Sequence, residues 1–442
     1  MNQPRIVVIG AGCSGITSIK NLLQAGLTNI ICFDQNDRVG GNWIYSEEPS
    51  HSSVCETTHI ISSKSLSQFL DFPLPESYPD YPSHDQVRAY FQSYAEHFGL
   101  LPYIRFNTPV QNIEPIPADR WRIHLADHNT EEADYLLVAN GHHHVPRHPE
   151  WKDDFTGTYL HAHSYKNNKP FRDQRVLVVG AGNSGCDCAV EISRVAAFVG
   201  ISIRTPQYIV PKFFLGKPTD AFNRGLQWVP EFLIRPLRKL SLRFQIGRYE
   251  DYGLESPKHD VIEAHPTVNS ELLYKIRHGK VHPRRGIARI EGQTVHFMDG
   301  RQEAYDTIVA ATGYQIATPF FDPGFLDYRE ADRIPLYLRM FHPVHPSLIF
   351  IGLVQPQGAI WPLSDRQAKL AANYIAGRWK RPADLAERAE READRIARDF
   401  LAQKRHVVEV HFDRFARQVE QEIPKSAPEW NPTVITTSGQ HA

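Results

Sequence analysis

Short blocks of apolar, mostly β-branched residues alternate along the chain with longer stretches whose apolar positions recur every three or four residues. The block Ile6 to Ile9 runs into "GAGCSG" and then into a helical pattern ending near Leu22. The block Val176 to Val179 runs into "GAGNSG" and a second helical pattern ending near Ile192. A continuous apolar run bounded by turn residues reads as a buried parallel strand. Each block therefore predicts a strand, a tight turn and a helix. A further pair of blocks matches: "DYLLVANGH" from Asp134 and "DTIVAATGY" from Asp306 each predict a late strand ending in a small-residue turn. Asp134 lies 124 residues after Gly10, and Asp306 lies 126 after Gly180. The pattern is thus a duplication of one large structural unit, not a short-period repeat.

The turns carry the first candidate chemistry. In G-x-G-x-x-G the first glycine (Gly10, Gly180) makes the turn. The second (Gly12, Gly182) lets the backbone approach a pyrophosphate, and the third (Gly15, Gly185) allows close packing of helix on strand. The helix N-terminus then offers unpaired N–H groups to phosphate. The end of the next strand separates the two copies. "NIICFD" ends on Asp34, 19 residues after Gly15, where a carboxylate can accept ribose hydroxyls. "GISIRT" puts Arg204 19 residues after Gly185, where a guanidinium suits a 2′-phosphate and Thr205 can add a hydroxyl. The first copy reads as an FAD site and the second as an NADPH site.

Two regions fall outside the duplication. From Ile209 to Arg248 there are eight Lys/Arg against two Asp/Glu, with Phe213, Phe214, Trp228, Phe232, Leu233, Leu237, Leu240 and Phe244 interleaved. The spacing of Leu233, Leu237 and Leu240 predicts a helical insertion, read as a lid over the cofactor cleft; peripheral membrane contact is the alternative. From Asp384 to Gln403 the chain keeps Ala389, Ala393, Ile396 and Phe400 on one face, predicting a surface helix. Beyond Pro424 there is no periodicity.

Composition narrows the class. With 442 residues, 41% hydrophobic, 22% charged and net charge −1, this is ordinary globular material without the basic balance of a nucleic-acid binder. No run of 18 apolar residues predicts a membrane span. The N-terminus enters a core strand directly, which speaks against a secretory signal and, with an odd five cysteines, for a reduced, cytoplasmic setting. Disulfide-reductase chemistry needs a thiol pair, but Cys186 and Cys188 on one helix point about 200° apart. His142, His143 and His144 are adjacent, so in extended chain they cannot converge on a metal; they read as a rim beside the cofactor.

"FTGTYLHAHSY", Phe155 to Tyr165, matches F-x-G-x-x-x-H-x-x-x-Y. With "GAGCSG", "GGNW", "GAGNSG" and "ATGY" in that order, the chain resembles the flavin-containing monooxygenases from about Arg5 to Ala376. The resemblance implies an α/β fold of two Rossmann-like dinucleotide-binding domains. An FAD domain would be built from residues 1–165 and 310–442, and an NADPH domain from 166–309 with its helical insertion at about 208–265. It further implies that NADPH reduces FAD and that O2 then gives a flavin hydroperoxide. That species would oxygenate an amine nitrogen or sulfide sulfur of a small molecule. Carried over by position, Gly10, Gly12, Ser14, Gly15, Asp34 and Gln35 would bind FAD, with Gly41, Asn42, Trp43, Gln355 and Gln357 toward its flavin. Gly180, Gly182, Asn183, Ser184, Gly185, Arg204 and Thr205 would bind NADPH. Phe155, Gly157, His161 and Tyr165 would tie the linker to the nicotinamide, beside Thr312, Gly313 and Tyr314; His161 and Tyr165 are the candidates for a catalytic role.

Two alternatives stay open: Baeyer–Villiger oxygenation of a ketone, whose motif usually ends in Trp where Tyr165 stands, and a non-oxygenating NADPH oxidase. A homodimer also stays open. One position departs from the family. An asparagine commonly precedes the "S-K" lysine by three residues near the reactive edge of the flavin. Counting back from Lys64 puts Ile61 there, which makes Ile61 a third candidate for the catalytic site and implies protection by dryness and bound NADP+.

Overall fold

A computed structural model describes residues 3–225, 231–261, 263–264, 266–400 and 407–428. Their α/β organisation follows the duplication. The described residues of Met1–Ile44, Lys64–Val145 and Gln315–Ala442 form one compact unit, and those of Tyr45–Ser63 and Pro146–Tyr314 form the other.

The first unit is built on a five-stranded, wholly parallel sheet. Its order is Leu348–Phe350, Tyr135–Val138, Ile6–Ile9, Ile30–Phe33, Ile104–Arg105. Ile6 to Ile9 is buried throughout, as expected of a central strand covered on both faces. The helix Cys13–Gln24 is buried nearly all round because it lies against the helix Trp361–Ile375 as well as the sheet. A three-stranded antiparallel meander, Val110–Ile116, Arg120–Leu125 and Thr130–Ala133, precedes the strand Tyr135–Val138.

The second unit repeats this plan. Its parallel sheet runs His282–Arg285, Phe198–Ile203, Arg175–Val179, Thr307–Ala310, Thr158–His161. Its meander, Ile287–Glu291, Thr294–Phe297 and Gln302–Ala304, precedes the strand Thr307–Ala310. The repeated aspartates do the same work in both copies. Asp134 Oδ2 accepts the N–H of Arg5 (2.8 Å), and Asp306 Oδ2 accepts that of Arg175 (2.7 Å). Each satisfies a donor at the start of a first strand.

The boundaries differ from those expected at 165/166 and 309/310. The strand Thr158–His161 pairs in register with Thr307–Ala310, so the motif from Phe155 to Tyr165 forms the edge of the second sheet. Residues Tyr45–Ser63 go with it. The buried Lys166 donates to the carbonyls of Ser52 (2.7 Å) and Val54 (3.3 Å), and His163 Nε2 meets the His51 carbonyl at 3.1 Å.

The insertion contains the hairpin Phe213–Phe214/Lys217–Pro218 and the helices Thr219–Arg224 and Glu231–Ile246. Among the described side chains of the helix Glu231–Ile246, Ile234 and Leu242 are buried, whereas Leu233, Leu237, Leu240 and Phe244 are exposed, Phe244 at 89%. The stripe read from the spacing therefore faces outward, because the buried face lies one residue further round the helix. Trp228 and the side chain of Phe232 lie outside the described residues, as do 401–403 and the tail from 429. The helix Leu385–Asp399 buries Ala389, Ala393 and Ile396 as expected. Among the described residues, no helix is long and apolar enough to cross a membrane.

Candidate active site

Each Gly-rich turn sorts its glycines into two kinds. Gly10 has φ +100° and a methyl there would stand 2.7 Å from the Ala139 carbonyl oxygen; Gly180 has φ +108° and the same contact to Ala311 would be 2.5 Å. A methyl on Gly15 or Gly185 would overlap the carbonyl oxygen of Gly10 or Gly180. The protein itself therefore demands the first and third glycines. It does not demand the second. A methyl on Gly12 would meet nothing nearer than Gly41 Cα at 3.5 Å, and one on Gly182 would meet nothing within 4 Å. The helices starting at Cys13 and Asn183 have no side-chain cap and no acid in the first turn. Open space over a glycine, at an uncapped helix N-terminus, fits a pyrophosphate in both units.

The flanking residues differ in charge. Asp34 is buried (6% exposed); Oδ2 accepts from Ala11 N (2.6 Å), and Oδ1 accepts from Asn36 N and Nδ2 (both 2.7 Å). Those three bonds fix the carboxylate and leave acceptor capacity for a ribose. Gln35 beside it is exposed. On the other side of Gly12, the turn Gly41–Trp43 comes within a methyl-to-Cα distance of 3.0 Å, and Trp43 meets Trp361 edge-on at 5.9 Å. Asn42 is half-buried there. Arg204, in contrast, is exposed at the end of the strand Phe198–Ile203 and pairs with no carboxylate of the described residues, with half-buried Thr205 next to it. Its neighbours Arg284 and Arg285 are already paired, with Glu303 and Glu255. A guanidinium left without a partner beside an anion cradle is suited to a phosphate.

Some expected contacts are used internally. The Asn183 carboxamide oxygen accepts the Val268 N–H (2.7 Å), and Thr267 Oγ1 donates to the Ala181 carbonyl (2.7 Å). The "HPTVNSELL" segment thus holds the second turn in shape, while Ser184 is exposed. Ser14 Oγ lies 3.0 Å from Ser364 Oγ and faces Gly352, where any side chain would collide with it. Nothing in the spacing marks Gly352 as a partner of the first turn. Lys20, 2% exposed, pairs with Asp71 (2.7 Å) and Asp365 (2.9 Å). Burial opposes its charge, but Asp365 and Asp71 outweigh it and hold the ammonium pKa above its ordinary value.

The motif residues are chiefly architectural. Phe155 lies in the core, and a methyl on Gly157 would stand 2.6 Å from its ring and from the Asp306 carbonyl. Tyr165, 2% exposed, packs in the core with Phe171 at 5.6 Å, and burial pushes its hydroxyl pKa up. The catalytic role expected of Tyr165 meets a ring enclosed by apolar neighbours. His161 is 3% exposed at the end of the edge strand; Nδ1 accepts the His163 N–H (3.1 Å), and the rings of Tyr314 and His148 lie 5.4 and 5.7 Å away. Burial, then His148 and His163, pushes it down to about 4, so it is neutral at physiological pH. Thr312 Oγ1 donates to the Arg147 carbonyl (2.6 Å), and the Gly313 carbonyl, at φ +83°, accepts the Arg147 N–H (2.9 Å). Tyr314 is pushed up to about 12 by burial. Ile61 is half-buried, two residues before Ser63, whose N–H donates to Asp220 Oδ2 (2.6 Å).

In the first unit, Gln355–Pro356 pairs with Glu409–Val410. Gln355 Oε1 meets His142 Nε2 at 3.1 Å, and Gln357 Oε1 meets His411 Nδ1 at 3.3 Å. His142, Glu409 and His411 join this group from distant sequence. Among the described residues, no three His, Cys, Asp or Glu are grouped to hold a metal ion.

Residues 3–429 match the family described as flavin-binding monooxygenase-like. The chain belongs to that family. It is 34% identical over 433 residues to flavin-containing monooxygenase 5 of Rattus norvegicus, covering 92% of this chain and 80% of that protein. It is 32% identical over 418 residues to dimethylaniline monooxygenase [N-oxide-forming] 2 of the same species, covering 88% and 78%. Its fold is similar to that of S-allyl-L-cysteine S-oxygenase from Allium sativum (TM-score 0.71, 22% identity, 99% and 92% covered). Cyclohexanone monooxygenase is equally similar in fold (TM-score 0.71, 18% identity, 95% and 98% covered). This flavin monooxygenase uses FAD, NADPH and O2.

Proposed function

We propose that the first unit holds FAD and the second NADPH, and that the enzyme oxygenates the nitrogen of a small amine or the sulfur of a small sulfide. The carrying observation is the contrast between two otherwise matching cradles: fixed, buried Asp34 beside one, and exposed Arg204, paired with no carboxylate of the described residues, beside the other. Gly10, Gly12, Gly15, Asp34, Gln35, Gly41, Asn42, Trp43, Gln355 and Gln357 would hold FAD. Gly180, Gly182, Gly185, Ser184, Arg204 and Thr205 would hold NADPH, with neutral His161, Thr312, Gly313 and Tyr314 toward its nicotinamide. When bound, the two cofactors supply hydride transfer and oxygen activation. The chain's own work is to bind, orient and keep water out. Half-buried Ile61 can contribute only dryness, since a sec-butyl group has no hydrogen bond to give.

Heteroatom oxygenation is favoured over ketone oxygenation by the N-oxide-forming relative at 32% identity and by Tyr165 in place of the ketone oxygenases' tryptophan. The test is NADPH consumption with tertiary amines, thioethers and cyclic ketones under ¹⁸O2, with products identified by mass spectrometry. One labelled oxygen in an N-oxide or S-oxide supports the reading. Label in a lactone, or peroxide matching NADPH consumption with every compound, overturns it.

A further inference from the structure

His142 is 6% exposed in the first unit, and its two ring nitrogens are not equivalent. Nε2 faces the Gln355 amide oxygen at 3.1 Å. An amide oxygen can only accept, so the proton sits on Nε2. Burial disfavours a second proton, outweighing Gln355 and Glu409, so Nδ1 keeps a bare lone pair. That nitrogen is enclosed and has no hydrogen-bond partner. Buried acceptors are nearly always satisfied, so one left over in an ordered polar group points to a donor from outside the chain.

Strand order indicates which donor. Ligands of open parallel sheets lie in the crevice outside the carboxyl ends of the strands. Asp34 stands at that end of Ile30–Phe33, and Gly12 follows that end of the neighbouring Ile6–Ile9. On the other side of Ile6–Ile9 come Tyr135–Val138 and Leu348–Phe350, also parallel. His142 follows the first of these by four residues and Gln355 follows the second by five. If the adenosine ribose is at Asp34 and the pyrophosphate over Gly12, the other half of the dinucleotide is left the ends that carry His142 and Gln355. Gly141 (φ +70°), with open space where a side chain would be, makes the turn that presents His142 there.

We propose that His142 is a cofactor-binding residue whose Nδ1 accepts a hydrogen bond from an O–H or N–H group on the flavin half of FAD. Gln355 is its positioning residue: it fixes the tautomer that leaves Nδ1 bare. The inference rests on the first unit holding FAD. The donor is a group that oxidised FAD already carries, a ribityl hydroxyl or the imide N–H of the ring.

The test uses the full chain with His142→Phe and His142→Gln, titrated with FAD and, separately, with ADP, which lacks the flavin half. His142→Phe is expected to raise the FAD Kd about tenfold and leave the ADP Kd unchanged. His142→Gln, which retains an acceptor, should recover part of the FAD affinity. Unchanged FAD affinity, or equal losses for FAD and ADP, overturns the proposal. If the wild-type chain bound no FAD, the reading of the first unit would fail instead.

Discussion

Replacing Gly182 by alanine should separate binding from folding. A methyl there meets no protein atom within 4 Å, and the residue has φ −72°, which alanine adopts without strain. Losing glycine's freedom in the unfolded chain favours the variant by about 0.4–1 kcal/mol. The poorer N-cap opposes it by a similar amount, so the net change should stay within about 1 kcal/mol. Binding is different. The methyl occupies the space over the turn, and a pyrophosphate displaced by it loses at least one charge-assisted bond from a backbone N–H, worth about 1.5–3 kcal/mol. NADPH affinity should therefore fall about tenfold to hundredfold while the thermal midpoint scarcely moves. Gly185→Ala is the control, because its methyl overlaps the Gly180 carbonyl and drives helix from strand. It should cost about 3 kcal/mol or more and lower the midpoint by several degrees. Calorimetric NADPH titration and thermal unfolding of both variants decide the matter. Wild-type NADPH affinity in Gly182→Ala would remove the pyrophosphate from that turn.

Arg204→Ala should weaken NADPH binding about tenfold to hundredfold and leave NADH unchanged; equal losses would refute the 2′-phosphate role. Lys20→Met should destabilise the protein by about 3–5 kcal/mol in urea, because Asp71 and Asp365 lose their buried counter-charge; a loss under 1 kcal/mol would contradict that. His161 is held down to about 4 when folded and titrates near 6.5 when unfolded, so the unfolded chain binds its proton first as pH falls. Its contribution is present above pH 6.5 and is lost down to pH 4, with a limiting slope of about 1.4 kcal/mol per pH unit. His161→Asn should flatten that part of the stability profile, and an unchanged slope would mean that His161 protonates freely in the folded protein.

The central strands and turns were legible because their determinants are local. β-Branched runs such as Ile6 to Ile9 suit a strand covered on both faces, and positive φ at Gly10 and Gly180 excludes most other residues. The recurrent Asp134 and Asp306 mark the duplication in the sequence because each makes the same bond to a first-strand N–H. The edge strand Thr158–His161 was not legible, since half-exposed "TYLH" lacks the apolar run of a central strand. For the same reason the boundary expected at 165/166 lies later in the chain than the change of unit between Val145 and Pro146. Asn183 and Ser14 lie in the Gly-rich loops, but their side chains bond to Val268 and Ser364, choices that only packing reveals. The His142–Gln355 pair joins residues 213 apart, beyond the reach of any local pattern.

The two sheets take their last strand from opposite directions along the chain. The second closes with Thr158–His161, which precedes its Gly-rich turn; the first closes with Leu348–Phe350, more than 300 residues after its own. Synthesis from the N-terminus therefore completes the second sheet once Thr307–Ala310 has emerged, while the first still lacks its edge strand and the covering helix Trp361–Ile375. The order of manufacture favours a folded second unit while the first, whose segments flank it in sequence, is still unfinished. A ribosome stalled near residue 355, with Thr307–Ala310 outside the exit tunnel and Leu348–Phe350 still within it, should carry a nascent chain whose middle portion resists protease, while its opening strand remains open to cleavage.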